Sequence, residues 1–277
     1  MRRLARIRRV ADRVGSFAVR GSITSCMMGQ IPAELVCAPG ADSGKAVLYL
    51  HGGGFVFGSP RSHRGIAAKL SQDTGCSVWL PHYRLAPEHP FPAAFDDVLA
   101  AYQWLIIEGG LTPRAVVVAG DSAGGQLATA LIAALSAAST PSPAGLVLFS
   151  PWLDLDAERL GELERIVRDP FFSVPYAAAC SKVYLADGDP TDPRLNVLTG
   201  DLRGFPPVLL QVGGTEILAD GAQRFTATLT EVGVPVDLQI WPGQVHVWHA
   251  FANLLPEGRR ALREASAFIN NNINAEP

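Results

Sequence analysis

The sequence predicts an α/β fold: a mostly parallel central sheet with helices on both faces. Three observations lead there. Beyond residue 45, short apolar runs alternate with longer helical stretches, the rhythm of strand–helix–strand units. Several of those runs, VVV at 116–118 and LVLF at 146–149 among them, are apolar at every position, as strands covered on both sides must be. Of the 277 residues, 48% are hydrophobic and 18% charged, enough apolar material for one large core. The same composition excludes a disordered chain, and four cysteines in this length exclude a disulfide-stapled mini-protein.

Residues 1–20 carry seven arginines and one acid, Asp12, a net +6, so the rest of the chain carries −9 to reach the formal −3. Leu4, Ile7, Ala11, Val14 and Ala18 recur at helical spacing. A basic amphipathic helix of this kind either lies on an anionic membrane surface or packs its apolar stripe on the body and leaves its arginines in water. We favour the second reading. Residues 1–40 are taken as an N-terminal cap segment and 41–277 as the main domain.

Within that domain Ala46–Leu50 (AVLYL) is a strand ending at a glycine cluster, and Cys76–Tyr83 holds a second that stops at prolines. Residues 92–108 place Phe95, Val98, Leu99 and Tyr102 on one helical face. Ala115–Ala119 is a strand, and the Ala- and Leu-rich stretch Ala123–Ala138 a helix. Gly145–Ser150 and Pro207–Val212 are strands, 219–232 a helix, Val236–Trp241 a strand and 258–272 a closing helix. Residues 152–206 break the rhythm with prolines and charges, and are read as a helical cap inserted over one end of the sheet.

No run of about 18 apolar residues is present, so no membrane-spanning helix is expected. No apolar stretch of about 7–15 residues follows the first arginines, so no cleavable signal peptide is expected either. Cys26, Cys37, Cys76 and Cys180 lack CxxC spacing and read as reduced thiols of a cytoplasmic protein. Membrane or cell-envelope association rests on the arginine-rich N-terminus alone. The net negative charge argues against a nucleic-acid partner.

The chemistry concentrates at Gly120-Asp-Ser122-Ala-Gly124-Gly125. This is G-x-S-x-G between a strand and a helix, the context in which a sharp turn lifts a serine hydroxyl above the sheet edge. Ser122 then sits at a helix N-terminus, where backbone N–H groups favour developing negative charge. His51-Gly-Gly-Gly54 follows the strand 46–50, and its unobstructed N–H groups suit an oxyanion hole, which the N–H of Ala123 completes.

With Tyr83-Arg-Leu-Ala-Pro-Glu88, these motifs resemble the three signatures of the hormone-sensitive-lipase-like carboxylesterases of the α/β-hydrolase fold. Ser59-Pro-Arg-Ser-His63, Ser150-Pro-Trp-Leu-Asp154 and Pro242-Gly-Gln-Val-His246 bring the likeness nearest to actinobacterial Lip-type esterases. The resemblance runs from about residue 45 to the C-terminus. It implies hydrolysis of carboxylic esters with short acyl chains and no cofactor, and it assigns the oxyanion N–H groups to Gly53 and Gly54, with Gly52 less suited.

A serine hydroxyl needs an imidazole to take its proton. The chain order Ser, acid, His leaves His246 and His249, and His246 hangs on a short Pro-Gly loop after strand 236–241. No third ligand at metal spacing accompanies them, so no metal is expected. The acid follows strand 207–212, where Glu216 and Asp220 compete; the family more often has Asp at the first position, and Glu216 is preferred with Asp220 as the alternative. Phe55 and Phe57 are candidates for an acyl pocket or for core aromatics. Tyr83–Glu88 and Asp154 are read as loop braces, Asp121 as a hydrogen-bonding residue of the turn, and Cys180 as no nucleophile.

The resulting expectation is a serine hydrolase of short-to-medium-chain esters working through Ser122, Glu216 and His246, a monomer or homodimer. One rival keeps the same residues but acts on phospholipids or long-chain lipids at membranes. The other is a scaffold that only binds a small ligand.

Overall fold

The computed structural model describes residues 2–14 and 21–275. Ala18 and Arg20 of the expected basic helix lie outside them, as do the side chains of Arg2, Arg3, Arg13 and Val14. A single eight-stranded sheet organises the chain. Its strands are β1 (Ser22–Met28), β2 (Ile31–Cys37), β3 (Asp42–Leu50), β4 (Cys76–Pro81), β5 (Val116–Asp121), β6 (Gly145–Phe149), β7 (Val208–Gly213) and β8 (Val236–Trp241), in the order β1-β2-β4-β3-β5-β6-β7-β8. The pairs β1–β2 and β2–β4 are antiparallel and every other pair is parallel.

Strand composition explains the layering. In β3, Ala46, Leu48 and Leu50 point to one face while Val47 and Tyr49 point to the other; β5 and β6 alternate in the same way. One face is covered by α3 (Ala93–Ile107), α4 (Ala123–Ala137) and α7 (Ala219–Glu231), the other by α2 (Pro60–Thr74) and α8 (Pro256–Ile273). Each fully buried Val or Leu in these layers is worth about 1.5–3 kcal/mol over its exposed state. Helix α2 has clear local causes. Ser59 caps it in a reciprocal box with Ser62, Pro60 opens its first turn, and Gly75 ends it in the left-handed conformation.

The N-terminal forty residues do not form one cap segment. Helix α1 (Arg2–Val14) lies against α2, whereas residues 22–37 join the sheet as β1 and β2. Their reason for doing so is backbone pairing: β2 zips onto β4, and the hairpin through Gly29 zips β1 onto β2. Between β6 and β7 the chain leaves the sheet and forms α5 (Ala157–Glu164) and α6 (Val174–Leu185). No helix among the described residues is long and apolar enough to cross a membrane.

The chain runs from β3 outward to β4, then returns past β3 to β5 on its other side. Crevices of open α/β sheets form at such a reversal, outside the carboxyl ends of the strands. Leu50 and Gly120 are register partners there, so the segments that follow β3 and β5 emerge side by side.

Candidate active site

Ser122 occupies the junction between β5 and α4 with φ 51° and ψ −120°. Positive φ at a non-glycine residue is strained and persists only where its surroundings hold it. Here Ser122 N–H donates to the Phe149 carbonyl, and the Ser122 carbonyl accepts from the N–H of Trp152, both at 3.0 Å. Gly124 lets the turn close, because a Cβ there would overlap the carbonyl oxygens of Leu50 and His51.

His246 bridges two of the predicted partners. Its Nε2 lies 3.0 Å from Ser122 Oγ and its Nδ1 lies 2.8 Å from Glu216 Oε2. An ionised carboxylate only accepts, so Nδ1 carries the proton and Nε2 presents its lone pair to the serine. Glu216 is 2% exposed, and its other oxygen, Oε1, accepts from Gly213 N–H and from Ser150 Oγ, each at 2.6 Å. Ser150 Oγ in turn accepts from Val247 N–H at 3.1 Å. Ser150 thus ties the acid to the histidine loop, a role that motif reading, which met Ser150 only as the start of Ser150-Pro-Trp-Leu-Asp154, did not assign. The residues themselves signalled it only as a polar side chain directly after the apolar run of β6.

The glycine loop divides its amides. Gly52 N–H is taken by Asp121 Oδ1 at 3.0 Å. The N–H groups of Gly53, Gly54 and Ala123 have no acceptor among the described residues. Gly53 at φ 125° and Gly54 at φ 59° take backbone conformations that favour glycine.

Asp121 is the hub beneath this loop. It also accepts from Tyr49 OH at 2.9 Å and stands 3.3 Å from His63 Nε2. His63 Nδ1 lies 3.2 Å from the Ser59 carbonyl. Nδ1 lies closer still, 2.8 Å, to Ser62 Oγ, a hydroxyl that can donate or accept. Burial alone would lower the His63 pKa, but the charge and hydrogen bond of Asp121, helped by Ser59 and Asp12, raise it above the ordinary value. Burial likewise works to raise Asp121, and the His63 charge and the Tyr49 hydroxyl outweigh it and hold the carboxyl low. His51 and His249 are neutral: burial brings each down to about 3.

Several expected residues take other places. Asp220 does not reach His246. It sits in the first turn of α7 and pairs with Arg159 at 3.1 Å, joining α7 to α5. Phe55 is not among the residues lining the cavity above Ser122: its positive φ of 64° accompanies a ring stacked on Tyr184 at 3.9 Å and packed near Trp152 in the core. Phe57 does line the cavity. His249 faces away from the serine and lies 3.0 Å from Gln211. The braces hold distinct joints. Tyr83 OH donates to the His51 carbonyl, Arg84 grips Asp97, Glu88 pairs with Arg8 of α1, and Asp154 pairs with Arg224. The four cysteines are free, and Cys180 lies at the cavity wall.

Above Ser122 opens a mostly apolar cavity of about 840 Å³. Trp152, Phe172 and Tyr176 wall it from the segment between β6 and β7, Ile7 and Val10 from α1, and Phe57 from the glycine loop. Among the described residues no group of His, Cys, Asp and Glu could hold a metal ion.

Comparison with known proteins places this geometry among relatives. Residues 47–250 match a family described as the alpha/beta hydrolase fold. An acetyl-hydrolase of Streptomyces hygroscopicus is 43% identical over 242 residues, 87% of this chain and 80% of the relative. The carboxylesterase/phospholipase LipF of Mycobacterium tuberculosis is 37% identical over 268 residues, 93% of this chain and 70% of the relative. A crystal structure of an esterase from the bacterial hormone-sensitive lipase family superposes with a TM-score of 0.92 at 38% identity, covering 98% of this chain and 92% of that one.

Proposed function

The chain belongs to the alpha/beta hydrolase fold family and is a carboxylic ester hydrolase, and we propose that it works through an acyl-enzyme formed on Ser122. The observation that carries this reading is His246 held between Ser122 Oγ and Glu216. Ser122 Oγ attacks the ester carbonyl as His246 Nε2 takes its proton. Glu216 holds the ring in that tautomer and stabilises the imidazolium. The N–H groups of Gly53, Gly54 and Ala123 receive the oxyanion, and losing one such donor costs about 10²–10³ in kcat. The imidazolium then gives its proton to the departing alkoxide, the alcohol leaves, and an ester remains on Ser122. Water repeats the sequence: His246 deprotonates it, it adds to the acyl carbonyl, and Ser122 Oγ leaves with the proton.

The substrates we infer are esters of short-to-medium acyl chains. The apolar lining favours an alkyl chain, and the cavity of about 840 Å³ falls in the roughly 300–1,000 Å³ range of small-molecule pockets. In this reading α1 and residues 152–206 together form the cap. The test is hydrolysis of p-nitrophenyl acetate, butyrate, octanoate and palmitate by the wild type and by Ser122→Ala. Activity that falls with chain length and disappears in the variant is expected. Wild-type rates in a pure, folded variant would overturn the reading.

A further inference from the structure

The rim of the cavity combines two features that the ester reading leaves unused. Val10 on α1, Phe171 on the loop before α6 and Tyr176 on α6 each line the cavity, yet they are 51%, 58% and 44% exposed. Three separate elements thus hold apolar side chains out to solvent at one opening, a pattern that marks an interaction site. Ile166, on the same loop, is 81% exposed.

Guanidinium groups accompany them. Arg6 and Arg9 share a helical face with Val10 at i, i+3 and i+4 and are exposed, as are Arg165 and Arg168 beside Ile166. None of these four makes an ion pair among the described residues. Of the acids nearby, Glu162 and Glu164 beside Arg165 are exposed, while two others are engaged. Asp12 accepts from Ser59 Oγ, and Asp169 accepts from the N–H groups of Phe171, Phe172 and Ile217. Arg8, on the inner side of α1, clamps the helix down by donating to Glu88 and to the Val56 and Ala86 carbonyls at 2.8–3.0 Å. The helix is therefore held by its inward face, while Arg6 and Arg9 stay exposed, Arg9 donating to the Ala5 carbonyl of its own helix at 3.3 Å.

We propose that the face around the cavity mouth docks on an anionic lipid bilayer, the guanidinium groups meeting phosphates while Val10, Ile166, Phe171 and Tyr176 enter the headgroup boundary. Basic groups beside protruding apolar ones are the combination that partitions to such an interface. A protein partner would need to supply both an acidic patch and a complementary apolar surface; a bilayer supplies both everywhere. Docked this way, the mouth opens toward the membrane, so acyl chains would enter without crossing water. That last step rests on the ester-hydrolase reading; the docking does not.

Vesicle flotation of the full chain carrying Ser122→Ala tests it, since binding is then read without turnover. The vesicles are phosphatidylcholine alone or with about 30% phosphatidylglycerol, at about 0.05 M and about 0.5 M salt, a span that shortens the screening length severalfold. Binding only to the anionic vesicles, weakened by salt, is expected. Each guanidinium near the surface contributes about fivefold, so Arg9→Gln/Arg168→Gln should weaken binding by about 25-fold. Phe171→Ser should weaken it without removing its salt dependence. Equal binding to both vesicles, none to either, or undiminished binding by the double variant would each overturn the proposal. So would a dimer in solution that Phe171→Ser dissolves, since a second copy would then cover this face. Failure on vesicles with intact hydrolysis of soluble esters would sink the docking and leave the ester reading standing.

Discussion

Replacing Glu216 by Gln separates the charge of this residue from its shape. Oε1 is already engaged by two donors, Gly213 N–H and Ser150 Oγ, each at 2.6 Å. A glutamine must therefore turn its carbonyl oxygen to them and its NH₂ group to His246 Nδ1, which lies 2.8 Å from the present Oε2. Nδ1 then has to accept, and the ring proton moves to Nε2. That nitrogen faces Ser122 Oγ at 3.0 Å and can no longer take its proton. In serine proteases the corresponding change lowers kcat by about 10⁴, equivalent to about 5.4 kcal/mol at 1.36 kcal/mol per tenfold. The same order is expected here, in kcat rather than KM, because the cavity walls are untouched. The assay is steady-state hydrolysis of p-nitrophenyl butyrate, with thermal melting to confirm the fold. Asp220→Asn serves as the control and should leave kcat/KM near wild type. A folded Glu216→Gln enzyme that loses less than about tenfold would refute the tautomer argument.

Two further outcomes follow from the elbow and its hub. His63, raised by Asp121, contributes stability that is fully present below its unfolded pKa of about 6.5 and fades as pH rises through its folded value. The lowered Asp121 adds stability above its own ordinary range that fades as pH falls through its folded value. Wild type should therefore lose melting temperature between neutral and alkaline pH more steeply than His63→Gln does, and parallel curves would exclude the pair. Gly124→Ala drives a Cβ into the Leu50 and His51 carbonyl oxygens, which should destabilise by at least about 3 kcal/mol in urea titration; an unchanged midpoint would show that the turn relaxes freely.

The parallel strands were legible because they are buried on both faces and therefore apolar throughout, as at Val116–Val118 and Leu146–Phe149. Strands β1 and β2 were not. SITSCMM is an edge strand mostly open to water, and IPAELVC carries Glu34 within it, so neither offers an apolar run. Helix α2 was missed because its first turns read PRSHR, and its capping box uses two serines rather than an acid. The candidates Ser122, His246 and Glu216 could be singled out because Ser122 stands in G-x-S-x-G directly after β5 and the other two each follow a recognisable strand by a short loop. The role of Ser150 was not legible, because its hydroxyl acts on groups 66 and 97 residues away, Glu216 and the Val247 N–H. Phe55 depended on a backbone sign that no neighbouring residue type announces.

The seam at the end of β6 has a practical consequence for protein engineering. Ser150 and Trp152 are fastened to the sheet side, to Glu216 and to the Ser122 carbonyl, while the chain beyond them builds the walls of the cavity. A transplant that begins after Trp152 and rejoins before Pro207 would exchange the part of the chamber built by that segment and keep the donors that aim the acid. Substrate range could thus be recoded by swapping a module, whereas a cut three residues earlier, before Ser150, would remove the fastening along with the walls.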